Sequence, residues 1–305
     1  LSYIGAVQIE GPKWSGKSTT AERYAKTIIK LQDPIVCSRY RIYASTSKED
    51  LLDGDKPILF DEWQKIPEIW DFIRLDVDDH AGDTGRYLLT GSAKPIHDPS
   101  RHSGTGRIAK VKMRPMSLYE SGEATGEVSL SELFDHPDMR IKGESGLTIS
   151  EQVELVCRGG WPGVLHVPKT AVSSFVKDYY DGLADTDVAE VDGIRRNPSR
   201  ARAVLRSYAR GISTLTDFKT IIRDLENVGE GVDDKTLSSY INAYEKLFII
   251  EDVAAWTPKL RSASVIRTKP KRQFTDPSIA VAAIGASAKD LAQDMETFGF
   301  FFESL

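Results

Sequence analysis

The chain is poor in cysteine: Cys37 and Cys157 are the only two, and neither has a second cysteine or a histidine nearby at metal-ligand spacing. Neither a disulfide framework nor a zinc site is indicated, and both thiols read as ordinary buried side chains. Long apolar runs are also missing. No stretch reaches the roughly 18 uninterrupted apolar residues of a membrane-spanning helix, and Leu1 to Glu10 lacks the basic start of a secretory signal. The expectation is a cytoplasmic protein without membrane contact. A formal net charge of −5 argues against a protein coated in nucleic acid, although it leaves room for a local basic face. His80, His97, His102, His136 and His166 form no motif, and no Asn-Lys-x-Asp guanine reader is present, which excludes a GTPase. There is no internal repeat and no low-complexity tract.

What the 305 residues do contain is the balance of a soluble globular protein with more than one domain, 40% hydrophobic and 28% charged. Tyr3 to Ile9 reads as a buried strand, Gly11 to Gly16 breaks it, and Lys17 to Leu31 resumes with helical character. A second apolar strand, Pro57 to Phe60, ends at Asp61-Glu62, and a third, Tyr87 to Leu89, ends at Thr90-Gly91-Ser92. Helix-like segments lie between, notably Pro67 to Leu75. Near-continuous apolar strands alternating with helices indicate an α/β fold with a mainly parallel sheet, whose function sits at the carboxyl ends of its strands. A loop rich in Pro, Gly, His and Ser, from Ser92 to Arg107, precedes an expected strand Arg107 to Met113.

The chemistry concentrates at two of those strand ends. Gly11-Pro12-Lys13-Trp14-Ser15-Gly16-Lys17-Ser18 has the spacing Gly, four residues, Gly-Lys-Ser, whose backbone N–H groups surround phosphate oxygens as helix entry adds its positive end. This P-loop, with Thr19, is the expected ATP site: Lys17 reaches the β- and γ-phosphates and the Ser18 hydroxyl holds Mg²⁺. A hard cation needs a further oxygen ligand and the attacking water needs a base. Asp61 fits the first role and Glu62 the second. Ser92, closing the next strand, is a candidate contact for the γ-phosphate or the water.

The second half is helical. Ile149 to Arg158 is stopped by Gly159-Gly160-Trp161-Pro162-Gly163. Asn197-Pro198 is a helix start that should run to about Arg210, followed by helices at Thr216 to Leu225 and Asp234 to Lys246. Phe248 to Val253 reads as a strand, a basic turn holds Lys259 and Arg261, and Ser264 to Arg267 returns as its partner. Three helices and a β-hairpin spell a winged helix. Arg195, Arg196, Arg200, Arg202, Arg206 and Arg210 lie in one stretch, with the last three on one helix face, a stripe that suits DNA phosphates, a solvated face or an interdomain salt-bridge surface.

Together with Leu59-Phe60-Asp61-Glu62-Trp63-Gln64, Leu89-Thr90-Gly91-Ser92, Gly106-Arg107-Ile108, Met113 to Gly122 and Gly159 to Gly163, the P-loop resembles the prokaryotic AAA+-type predicted ATPases close to the STAND class, which carry a restriction-endonuclease-like C-terminal domain. The resemblance implies an AAA+-like P-loop NTPase core at 1–145, a helical lid at 146–192, a winged helix at 193–262 and the incomplete start of a nuclease-like domain at 263–305. It implies an ATP-driven conformational switch in which Pro162, within Gly160-Trp161-Pro162, touches nucleotide. Arg107 first, and Arg114 second, would bring positive charge to the γ-phosphate. The start at Leu1 without methionine and the end inside Phe302 to Leu305 suggest a fragment, and no nuclease motif is complete. The competing readings are a small-molecule kinase, against which the helical tail argues, and a non-enzymatic DNA-binding or signalling module in which ATP only sets conformation.

Overall fold

The computed structural model describes residues 1–91, 103–258 and 268–305, arranged as two compact units. The first comprises Leu1–Arg114 with Glu190–Ile194 and Lys246–Phe248; the second comprises Pro115–Ala189, Arg195–Glu245 and Ile249–Leu305. Among the described residues no helix is long and apolar enough to cross a membrane.

In the first unit, β1 (Ala6–Glu10), β2 (Thr27–Lys30), β3 (Ile58–Asp61), β4 (Tyr87–Gly91) and β5 (Ile108–Lys112) form one parallel sheet in the order β2-β3-β4-β1-β5. The central strands are apolar on both faces because both are covered. Ala6, Phe60, Tyr87 and Leu89 point into a core with Ile69 and Ile73 of the helix Glu68–Asp79, whereas Val7, Ile9, Leu59 and Leu88 point the other way, onto Ala21. This is the period-two alternation of strands applied twice over. The expected helix from Lys17 to Leu31 is shorter than its sequence suggested. α1 covers only Lys17–Glu22, and Thr27–Lys30 forms the edge strand β2. The β-branched run Thr27-Ile28-Ile29 favours an extended backbone, and pairing with β3 buries Ile29.

The second unit is helical. Thr148 and Glu151 form a capping box at the start of the helix Ile149–Arg158, and Asn197 caps the helix Pro198–Arg210, whose first residue is proline, as expected. Helices Phe218–Asn227 and Asp234–Lys246 follow, and the chain then pairs antiparallel through Ile250 with Phe274 and Val253 with Lys271. The return segment is thus Lys271–Phe274; the expected one, 264–267, lies outside the described residues, as do Lys259 and Arg261. The helix Pro277–Ile284 is apolar almost all round and packs on Ile149–Arg158, Val172–Gly182 and Pro198–Arg210. Residues on both sides of the expected boundary at 263 therefore belong to one compact unit.

One buried carboxylate ties that unit together. Asp276 is 3% exposed, and its Oδ1 accepts from Ser278 N at 2.9 Å and Ser278 Oγ at 2.5 Å, while its Oδ2 accepts from Gly160 N at 2.7 Å. Trp161 Nε1 donates to Ser278 Oγ at 3.0 Å. Gly160 has no room for a side chain, since a Cβ there would lie 2.0 Å from the Met116 carbonyl oxygen. Burial raises the Asp276 pKa, and its hydrogen bonds oppose the shift. Asp276→Asn places an NH₂ group against one of the donors that the second carboxylate oxygen now satisfies. It is expected to destabilise the protein by about 1–3 kcal/mol in urea unfolding; an unchanged midpoint contradicts this role.

Candidate nucleotide site

β1 delivers the chain at Glu10 and α1 takes it up at Lys17, so Gly11–Gly16 must turn within one short loop. Gly16 adopts the left-handed region at φ 91°, and a Cβ on Gly11 would lie 2.1 Å from the Met113 carbonyl oxygen. Ser15 is wholly buried and donates to the Pro12 carbonyl oxygen at 3.0 Å. Lys17 Nζ folds inward and donates to the same oxygen at 2.6 Å. Lys13, Trp14 and Thr19 are exposed around this buried interior. Burial drives the Lys17 pKa down to about 8, although the charges of Glu62 and Asp61 act in the opposite direction.

The parallel register sets the acidic end of β3 beside this loop. Asp61 lies level with Thr90, and β4 separates β3 from β1. Asp61 is 3% exposed; its Oδ1 accepts from Ser18 Oγ at 2.6 Å and Thr90 Oγ1 at 2.5 Å, and its Oδ2 from Gln32 Nε2 at 3.4 Å. Glu62 follows in the left-handed region at φ 58°. Non-glycine residues with positive φ are Trp14, Glu62, Ser213 and Phe248 among the described residues, and the first two flank this site, where backbone strain is commonly tolerated for function.

The geometry brings Lys17, Ser18, Asp61 and Glu62 together as the sequence suggested. Ser92 lies outside the described residues. Arg107 does not join the group: it precedes β5, about 16 Å along the strand from the phosphate end at ~3.3 Å per residue, and its Nε donates to Asp78 Oδ1 at 2.7 Å. Arg114 is at the correct end, next after Met113, whose carbonyl faces Gly11. Pro162 opens the turn Pro162–His166 in the second unit. Thr90 and Gln32 were not anticipated; a hydroxyl inside an otherwise apolar strand was the available signal for Thr90.

The arginine stripe is largely engaged within its own unit. Arg202 pairs with Asp181 at 2.9 Å and also with Asp185, Arg210 with Asp224 at 2.9 Å, and Arg200 with Glu230 at 3.4 Å. Buried Arg196 donates to the carbonyl oxygens of Val188 at 2.8 Å and Ser239 at 3.0 Å. Arg195 and Arg206 are exposed.

The donor set fits a magnesium ion, because Ser18 Oγ and Asp61 Oδ1 are hard oxygen ligands already converging at the mouth of the loop. No cluster of three His, Cys, Asp or Glu side chains suited to a metal occurs among the described residues, so the ion would lean on phosphate oxygens for its remaining ligands.

Residues 149–290 match a family described as a domain of unknown function (DUF8612). Among solved structures, the Walker-type ATPase PABY2304 of Pyrococcus abyssi is similar to 92% of this chain over 91% of its own, at 14% identity and a TM-score of 0.49. No curated protein matches. Residues 5–122, which carry the loop, the acidic strand end and the sheet just described, match the family described as AAA domain, and the chain is a P-loop ATPase.

Proposed function

We propose that the chain couples ATP hydrolysis to a conformational switch, with Lys17 and the loop backbone holding the triphosphate and Glu62 acting as base. The observation that carries this reading is the Ser18–Asp61–Thr90 cluster, which fixes the acidic strand end against the phosphate loop. When ATP arrives, its phosphate oxygens take the place of the Pro12 carbonyl as partners of the Lys17 ammonium. Ser18 and Asp61 would hold Mg²⁺, which supplies charge neutralisation on the phosphates. Water attacks the γ-phosphorus as the bond from that phosphorus to the β–γ bridging oxygen breaks. ADP leaves with the bond's electron pair, and the water proton passes to the Glu62 carboxylate and then to solvent or product. Arg114 is the proposed cation for developing charge.

The proposed moving part is the second unit, with Pro162 as its contact to nucleotide. Three successive helices and the pairing of 250–253 with 271–274 support a winged-helix arrangement there. DNA coupling draws little support from the arginine stripe, because Arg196, Arg200, Arg202 and Arg210 already have partners.

Lys17→Ala is expected to abolish ATP binding in calorimetry, and unchanged affinity would sink the assignment. Glu62→Gln is expected to keep ATP affinity while turnover falls by about 100-fold or more, as for loss of a general base; equal turnover would move the base elsewhere. The lowered Lys17 pKa adds a pH signature. Only the protonated amine suits the phosphates, so ATP affinity should hold below pH 8 and fall about tenfold per pH unit above it. The unfolded chain keeps this proton up to its ordinary pKa of 10.5, so the cost of burying the ammonium is fully present below pH 8 and fades as pH rises towards 10.5. An ATP affinity that stays constant from pH 7 to 9.5 would contradict the buried-lysine reading.

A further inference from the structure

Beside Glu62 lies a second set of polar atoms that the phosphate chemistry does not use. Gln64 Nε2 donates to Glu62 Oε2. The other end of that amide, Gln64 Oε1, is buried without a hydrogen-bond partner among the described residues, and so is Trp63 Nε1. Trp63 itself is held firmly, 4% exposed and stacked on Trp70 with ring centroids 5.1 Å apart. Both atoms lie close to Gly91 at the end of β4. A Cβ on Gly91 would lie 2.8 Å from Gln64 Oε1 and 3.6 Å from Trp63 Nε1.

Gly91 lets the amide come this close, because any side chain there would push Gln64 away. The orientation of the Gln64 amide follows from its contact with Glu62. Its NH₂ must face the carboxylate, since the reverse would set two acceptors against each other.

We propose that Trp63, Gln64 and Gly91 form a packed frame that holds the Glu62 carboxylate in one position for hydrolysis, an inference that rests on Glu62 being the base. The hydrogen bond from Gln64 Nε2 to Glu62 is its working contact, and the close approach to Gly91 keeps the amide in place. Gln64 is a positioning residue: it touches neither ATP nor the attacking water. Its effect belongs to the rate of the chemical step and not to nucleotide affinity.

The test is ATP turnover and ATP affinity of Gln64→Leu, Gly91→Ala and Trp63→Phe, with Glu62→Gln and the double variant Glu62→Gln/Gln64→Leu alongside. Gln64→Leu and Gly91→Ala are expected to lose about 10- to 100-fold in kcat at unchanged ATP affinity, the scale of a small misplacement of a catalytic group. Trp63→Phe, which keeps an aromatic ring and drops the pyrrole half of the indole with its N–H, should lose less. On the Glu62→Gln background, Gln64→Leu should cost nothing more, because the group it positions is already disabled. Wild-type kcat in Gln64→Leu, or losses of kcat and affinity in parallel in Trp63→Phe with an unchanged melting temperature, would overturn the frame. If Gln64→Leu slows Glu62→Gln by the factor seen in the wild type, the frame fails while Glu62 stands as base. If Glu62→Gln turns over normally, both readings fall.

Discussion

The carboxylate of Asp61 collects hydrogen bonds from Ser18 on α1, Thr90 on β4 and Gln32 beyond β2, and the candidate site depends on that convergence. A buried carboxylate is costly unless donors surround it, and these donors come from segments far apart in sequence. They meet only because β4 inserts between β1 and β3 and the parallel register sets Asp61 level with Thr90. A slip of one residue in β4 would turn Thr90 to the opposite face. The same carboxylate gives the phosphate loop a fixed acidic neighbour, so the sheet register also sets the acidic side of the candidate site.

Other features of the site cost stability. Lys17 is buried, Trp14 and Glu62 take left-handed backbone, and Trp63 and Gln64 bury polar atoms that have no hydrogen-bond partner among the described residues. Such a collection is what a site prepared for an anionic ligand and a water requires, and the apolar layers on both sheet faces offset it. The second unit uses a related device without evident chemistry. Asp276 gathers donors from Gly160 and Ser278, locking the glycine-rich break after Arg158 to the helix Pro277–Ile284.

The phosphate loop and Asp61-Glu62 were legible in the sequence because their chemistry demands particular residues in contiguous order. Helix caps at Asn197 and Thr148 were equally local, the first of them anticipated to the residue. What escaped was decided by pairing. Thr90 and Gln32 became partners of Asp61 through strand order, which spacing along the chain does not encode. Arg107 was implied by the family resemblance, yet the start of a parallel strand lies at the end of the sheet away from the loop. The arginines of Pro198–Arg210 suggested a phosphate-binding stripe because Asp181, Asp185, Asp224 and Glu230, which engage them, come from other elements. Thr27–Lys30 continued an apparently helical run and turned to strand only because β3 offered an edge.

Asp61 joins the acidic strand to the phosphate loop and, with Ser18, is proposed to hold the ion that hydrolysis needs. The most direct test is ATP turnover of Asp61→Asn against the wild type across a magnesium titration, since the amide keeps the size and loses the charge. Magnesium-dependent turnover is expected in the wild type and a loss of about 100-fold or more in the variant, the scale of removing a key electrostatic contact. Wild-type turnover by Asp61→Asn at the same magnesium concentrations would contradict it.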